Sequence, residues 1–361
     1  MVYDAAVVGA GPAGATLARL LAAEGLSTVL LEADRLPRYK PCGGGLTLRA
    51  LRVLAPEALA SVRVRCPRAH AVCGRREVLV QGGSLAVAMV MRDEFDHLLT
   101  RLARDAGAEV RDGCRVTGAR LLPDGVEVVA GGQPVRARLI ACADGATGPF
   151  AGPLGRAVGL AGTPPHVGAL EVELEDPAQA WGDEVRGDFD LVPRGYGWVF
   201  PKAGILSVGV ASWRRGVGGR ALREALNTYL RRLGLQSRRV LRARGHPIPV
   251  GGRLPASLLA APRALRLGDA AGLADPLFGE GIAHALESAH LAAAAIVRGQ
   301  PQAYARAVGA TIYRSFRLAS AVGDVFYANP RPWFALAGGL PAARAWAWRL
   351  AVGGLGHGAG V

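Results

Sequence analysis

Three glycines, Gly9, Gly11 and Gly14, stand in the spacing Gly-x-Gly-x-x-Gly between two apolar runs, residues 3–8 and 28–31. The second run ends in an acid, Glu32. In such a unit the first glycine allows a tight turn, the second lets backbone approach a pyrophosphate, and the third lets helix and strand pack closely. A diphosphate then meets the positive end of a helix dipole, and the acid accepts from the ribose hydroxyls of an adenosine half. Among 50 glycines chance matches are expected, but this one lies between two strand-like runs with an acid about 20 residues on. The spacing predicts a dinucleotide site, with Pro12 and Ala13 in its turn and Ala33 beside its acid.

Three other places carry chemistry. Residues 36–45 are too rich in proline and glycine for a regular element and form a candidate active-site loop around Cys42, Gly43, Gly44 and Gly45. A free cysteine is usually a small buried hydrophobe, but a glycine-rich loop is an unusual place for one. Tyr196, Trp198 and Phe200 alternate along a run that ends at Pro201. They share one face of a strand, either as core or as the wall of an apolar pocket. Asp269 follows a short apolar run, and Asp275 to Ile282 lead into a long helix with Gly279 and Gly281 at its start. His284 and His290 on that helix read as packing or surface residues.

These groups need elements to position them. Periodicity predicts helices over 15–24, 46–54, 91–106 and 222–233, and strands over 109–111, 115–122, 126–129 and 135–140. Residues 62–90 read as short strands of a separate layer. Period-two alternation then marks antiparallel strands at 167–174, 189–192, 196–201 and 205–212, with another at 240–249. Two glycine-rich strand-turn-helix joints, one near each end, imply one interwoven domain with the antiparallel lobe inserted. The fold class is α/β, α+β overall. Residues 1–60, 91–160 and 258–300 form a discontinuous Rossmann-type domain, 61–90 and 161–257 an antiparallel-sheet substrate domain, and 301–361 a helical C-terminal region.

Composition narrows the partners. The chain of 361 residues is half hydrophobic, which excludes disorder, and carries a formal charge of +14. The arginines are scattered with few aromatics between them, so an anionic membrane surface or an acidic protein is a better partner than nucleic acid. Five cysteines without a C-x-x-C pair point to a reduced, cytoplasmic protein with no zinc site. The first strand begins at once, leaving no room for a secretory signal, and no apolar run reaches the roughly 18 residues that span a bilayer. Any membrane contact is therefore peripheral, at the inner face of the cell membrane.

With these residues assembled, the chain resembles the geranylgeranyl reductase family of FAD-dependent oxidoreductases, within the fold of aromatic-hydroxylase flavoproteins. Lys40-Pro41-Cys42-Gly43-Gly44, Gly195-Tyr196-Gly197-Trp198-Val199-Phe200-Pro201 and Gly268-Asp269 through Gly279-Glu280-Gly281-Ile282 carry the resemblance, which covers roughly residues 3 to 300. It implies that the Gly9 turn and Glu32 hold the ADP half of FAD, that Arg92 approaches the diphosphate, and that Asp269 bonds the ribityl chain or diphosphate. It also implies that the backbone N–H groups of Gly279 to Ile282 face flavin N1 and O2, where a reduced flavin is negative. Cys42, Gly43 and Gly44 would lie near the flavin ring, and Gly45, Tyr196, Trp198, Phe200 and Pro201 would line an elongated apolar cavity for an isoprenoid chain.

The implied reaction saturates a C=C bond of a polyprenyl chain by hydride transfer from flavin N5 and protonation of the other carbon. Cys42, Tyr196 and Trp198 are its candidate catalytic residues; Tyr196, Cys42 or a bound water is the proton source. Thr147 and Phe150 follow Asp144-Gly145 where the family pattern has a serine and an arginine, which leaves NADPH, ferredoxin or another carrier open as electron donor. The expected partners are a prenyl lipid and an acidic electron-donor protein, with the chain a monomer. The rival readings are a flavin monooxygenase or halogenase on an apolar substrate, and a non-catalytic prenyl-lipid-binding flavoprotein. Residues 327–361, with Trp333, Trp346 and Trp348, read as an amphipathic cap or membrane-interface segment.

Overall fold

The computed structural model describes residues 1–81, 87–214, 216–250 and 255–340. In chain order the strands are β1 (Val2–Val8), β2 (Thr28–Leu31), β3 (Gly45–Thr47), β4 (Val62–Cys66), β5 (Arg68–Cys73) and β6 (Arg76–Gln81). There follow β7 (Val87–Val90), β8 (Glu109–Arg111), β9 (Val116–Leu121), β10 (Val126–Ala130), β11 (Gln133–Cys142) and β12 (Val167–Glu175). The last are β13 (Glu184–Asp188), β14 (Gly195–Pro201), β15 (Ile205–Ser212), β16 (Val240–Ile248), β17 (Ala260–Ala261) and β18 (Ala264–Arg266). The helices are α1 (Pro12–Ala23), α2 (Leu48–Val53), α3 (Arg92–Asp105), α4 (Pro153–Ala157), α5 (Gly219–Arg232), α6 (Ala256–Leu259), α7 (Ile282–Val297), α8 (Ala303–Ala310), α9 (Ile312–Ala328) and α10 (Arg331–Gly339).

Strand β1 is apolar nearly throughout because both its faces are covered. It pairs in parallel with β2 and β11, β11 with β18, and β2 with β8, giving the order β17-β18-β11-β1-β2-β8, with β10 antiparallel to β11 and β9 antiparallel to β10. This is the Rossmann-type arrangement. Helices α1, α3 and α7 pack over one face through Leu17, Leu21, Phe95 and Leu286. At Gly14 a side-chain carbon would overlap the Gly9 carbonyl, so only glycine lets α1 start this close to β1.

The second large sheet runs β16-β12-β15-β14-β13-β5-β6 and is antiparallel except where β13 meets β5. Its strands alternate, so Val172, Leu174, Val199, Val208 and Val210 pack beneath Leu222, Leu226 and Tyr229 of α5. The opposite face carries Glu171, Tyr196, Trp198 and Phe200 and lines a cavity. A small antiparallel sheet, β3-β7-β4, lies at the remaining side.

Several expected elements differ. Residues 189–192 are not a strand; the strand is β13, and the chain bends at Phe189, whose ring joins Tyr196, Phe326 and Phe334. Residues 62–90 do not form one layer: β5 and β6 extend the seven-stranded sheet, whereas β4 and β7 pair with β3. Residues 45–47 form β3, so α2 starts at Leu48, capped by the Thr47 hydroxyl. Pro12 enters α1 at its first turn, where the missing N–H costs nothing. Trp346, Trp348 and the rest of 341–361 lie outside the described residues. No helix among the described residues is long and apolar enough to cross a membrane.

Candidate functional site

A cavity of about 570 Å³ runs between the first turn, the Cys42 loop and the open face of the seven-stranded sheet. Its lining includes Gly9, Gly11, Pro12, Ala13, Glu32, Ala33, Cys42, Gly43, Gly44, Gly45, Arg92, Asp269, Gly279, Gly281 and Ile282, with Tyr196, Trp198 and Phe200. Gly14 and Pro201 are outside that lining: Gly14 packs behind the turn and Pro201 is buried at the strand end.

At one end the cavity meets the start of α1. Gly11 is its N-cap, without a side-chain cap, and the first turn has no acid, so the positive end is left for an anion. Glu32 accepts from the Ala10 N–H at 2.8 Å, which fixes the acid beside the turn. Arg92 and Arg38 converge on Asp96, with Arg92 Nε at 2.8 Å and Arg38 Nη1 at 2.8 Å, and Asp96 is fully buried. Arg38 also reaches Glu32 at 3.3 Å. Two guanidinium groups are thus held rigidly at the cavity edge by one carboxylate.

Asp269 lines the cavity from the short 3-10 turn over Gly268–Ala271 that follows β18. Burial pushes its carboxyl up, and Lys40 and Arg92 oppose that. Lys40 Nζ stands 3.2 Å from His246 Nε2. Burial, Lys40 and Arg92 push His246 down to about 4, so its ring is neutral and accepts from the ammonium.

The turn before α7 is built by Asp275, whose Oδ1 accepts from the N–H groups of Leu277 at 2.8 Å and Phe278 at 2.9 Å. Gly279 departs from expectation: its N–H donates to the Asp275 carbonyl at 2.9 Å and is spent within the turn. Gly281 is the N-cap of α7, again with no side-chain cap, and Ile282 opens the helix, so this second positive end faces the cavity. Glu280 accepts from the Thr47 hydroxyl, and burial pushes its carboxyl up to about 7. His284 is fully buried, with Nε2 against Arg49 and its ring edge-on to Phe316; His290 Nε2 meets the Val53 carbonyl at 3.0 Å.

The aromatic wall is continuous. Tyr196 stacks on Phe189 with centroids 5.5 Å apart and on Trp213 at 5.6 Å, and Trp213 stacks on Tyr327 at 5.2 Å. The Tyr196 hydroxyl donates to the Phe278 carbonyl at 2.7 Å, and burial pushes its pKa up. A proton delivered from it would first have to leave that bond. The Trp198 indole lies across Gly209, where a side-chain carbon would fall inside the ring, and its Nε1 donates to Ser207 Oγ at 3.2 Å. Gly43 packs directly on the Phe200 ring, so the Cys42 loop rests on this wall. Cys42 Sγ accepts from the Gly44 N–H at 3.4 Å.

Lys202, Glu173, Glu171, His246 and Asp96 were not singled out from the sequence. A signal existed for the glutamates: they recur at alternate positions of an otherwise apolar strand. Lys202 is one of two lysines in the chain and directly follows Pro201.

The donor set fits FAD: an uncapped helix start for a diphosphate, an acid beside it, a second uncapped helix start for the negative edge of a reduced flavin, and an apolar wall. Residues 2–214 match the FAD binding domain family and residues 212–327 the lycopene cyclase protein family. A geranylgeranyl diphosphate reductase of Rhodobacter capsulatus is 32% identical over 82% of this chain and 75% of its own. A menaquinone reductase of Mycobacterium tuberculosis is 33% identical over 80% of this chain and 75% of its own. Among solved structures, a geranylgeranyl bacteriochlorophyll reductase-like protein of Thermoplasma acidophilum superposes with a TM-score of 0.77 and 26% identity, over 90% of this chain and 88% of that one.

Proposed function

The chain belongs to the geranylgeranyl reductase family of FAD-dependent oxidoreductases, and on that premise we propose that it saturates C=C bonds of a polyprenyl chain carried by a lipid, quinone or diphosphate head. The observation that carries the reading is the wall of Tyr196, Trp198 and Phe200, which continues the cofactor cavity and faces it with rings. A ligand with almost no polar groups needs such a surface.

FAD, when bound, supplies the hydride. The residues about its place would bind and orient it: the α1 start, Arg92 and Asp269 would hold the diphosphate and ribityl region, and Gly281 and Ile282 would bear on the flavin ring. An isolated alkene is a poor hydride acceptor, so a proton must reach its other carbon in a site from which water is excluded. Trp198 and Phe200 exclude that water, and the Cys42 loop closes over them. Phe189 and Phe278 extend the apolar lining, and Trp213, Phe326 and Tyr327 pack behind them. The +14 charge supports docking on an anionic membrane surface and reduction by an acidic carrier protein.

The test is anaerobic. Chemically reduced holoenzyme is mixed with geranylgeranyl diphosphate or a menaquinone, and flavin absorbance is followed with mass spectrometry of the lipid. Reoxidation with two hydrogens gained per turnover supports the reading. No reoxidation until air is admitted, followed by oxygenation of the substrate, rejects it for a monooxygenase.

A further inference from the structure

One carboxyl group in the cavity wall has no place in the site described so far. Glu171, on β12, lines the cavity. It is only 5% exposed, and its Oε1 is sealed from solvent without a hydrogen-bond partner. A carboxylate in that state costs free energy that an apolar residue would not. Two positions on, Glu173 meets Lys202 at 3.5 Å and Arg242 at 3.3 Å, so the buried ammonium already has a counter-ion. Glu171 is the surplus acid of the pair. Burial is the largest influence on it and favours its neutral form; Lys202, the Ser207 hydroxyl and the Cys42 N–H work the other way, and Glu173 reinforces burial. A neutral Glu171 beside the ion-paired Glu173 spares the site a second buried negative charge.

Its position suits proton delivery. Glu171, Gly209 and Trp198 form one cross-strand row, and the indole covers Gly209. The carboxyl therefore stands at the edge of the aromatic wall, beneath the Cys42 loop. Other charged or titratable groups about it are Arg242, Arg244 and His246 on β16 and Tyr39 and Cys42 on the loop.

We infer that Glu171 is the acid that protonates the prenyl chain, an assignment that rests on the prenyl-reductase reading. One alkene carbon takes a hydride from reduced FAD, and the π pair takes the Glu171 proton at the other carbon. A saturated bond, oxidised FAD and a Glu171 carboxylate result. Water restores the carboxyl proton after release, and a nicotinamide or iron–sulfur donor returns the two electrons. Charge developing at the carbon meets the indole face of Trp198.

E171Q keeps the shape and removes the acid. In reduced, anaerobic holoenzyme mixed with geranylgeranyl diphosphate, E171Q should be reoxidised about 100-fold or more slowly than wild type. Its FAD content and its equilibrium affinity for the fully saturated diphosphate should match wild type, and E171D should recover part of the rate. A readout without turnover accompanies this: the infrared difference between oxidised wild-type and E171Q holoenzyme at neutral pH should contain a protonated carboxylic C=O band. Reoxidation of E171Q at the wild-type rate, or a carboxylate band in place of the acid band, overturns the assignment alone. Wild type that binds the chain and is never reoxidised overturns the prenyl reading and this assignment with it.

Discussion

Lys202 donates from Nζ to the carbonyl oxygen of Cys42 at 2.8 Å, joining residues 160 positions apart. The same ammonium faces Glu173 at 3.5 Å, and both side chains are 2% exposed. This contact fastens the glycine-rich loop to the sheet that carries the aromatic wall.

Replacing Lys202 by methionine leaves the Cys42 carbonyl without its donor and leaves Glu173 with Arg242 alone. Removing one partner of a buried pair costs about 3–5 kcal/mol. The urea midpoint of K202M should fall accordingly, and Cys42 should react faster with an alkylating agent because its loop has lost its anchor. Unchanged alkylation would show that the loop is held by other contacts.

Gly209 leaves the space that the Trp198 ring fills. Gly209→Val should overpack the wall at a cost of about 1–3 kcal/mol and push the indole into the cavity. Prenyl-dependent flavin reoxidation should slow while FAD content is retained, as read by single-turnover absorbance.

Glu280 is raised by burial from its ordinary 4.5 to about 7. The folded state then binds this proton more tightly than the unfolded state. Its contribution to stability is full below pH 4.5 and is lost as pH rises through about 7. E280Q should flatten that part of the melting-temperature profile, which differential scanning calorimetry across the range would reveal.

His246 and His284 act at the acid side. Burial pushes them down from 6.5 to about 4 and about 3, so both are neutral in the fold. The stability they lend is present above pH 6.5 and is lost as pH falls through those values. Ring carbon shifts followed by NMR should stay unprotonated at pH 5; a normal titration near 6.5 for His246 would remove its role as acceptor from Lys40.

Gly14→Val places a side chain against the Gly9 carbonyl. The start of α1 must then move away from β1, and the anion site moves with it. The variant should purify without its yellow colour, and added FAD should not restore the absorbance.

The glycine turn before α1 was legible because its demands are local: three glycines, a helix start and an acid a fixed distance on. The aromatic strand was legible because alternation places Tyr196, Trp198 and Phe200 on one face whatever the sheet packs against. Residues 189–192 misled for the same reason. Their apolar pattern suits a strand, but Phe189 is claimed by rings from β14 and the C-terminal helices, and the chain bends to meet them. Gly279 misled because a backbone N–H at a helix start is free only if its own turn does not take it, and here the Asp275 carbonyl does.

Residue spacing and type by themselves determined the glycine-rich turn at Gly9, the loop around Cys42 and the apolar face opposite it, and those motifs carried the resemblance to the family. Only the tertiary structure decided which charges meet. Asp96 with Arg38, Lys40 with His246, and Lys202 with Cys42 and Glu173 each join parts of the chain that no period relates. The physical reason is that a side chain's local pattern sets which face it occupies, whereas its charge state depends on what burial removes and what a distant strand supplies in its place.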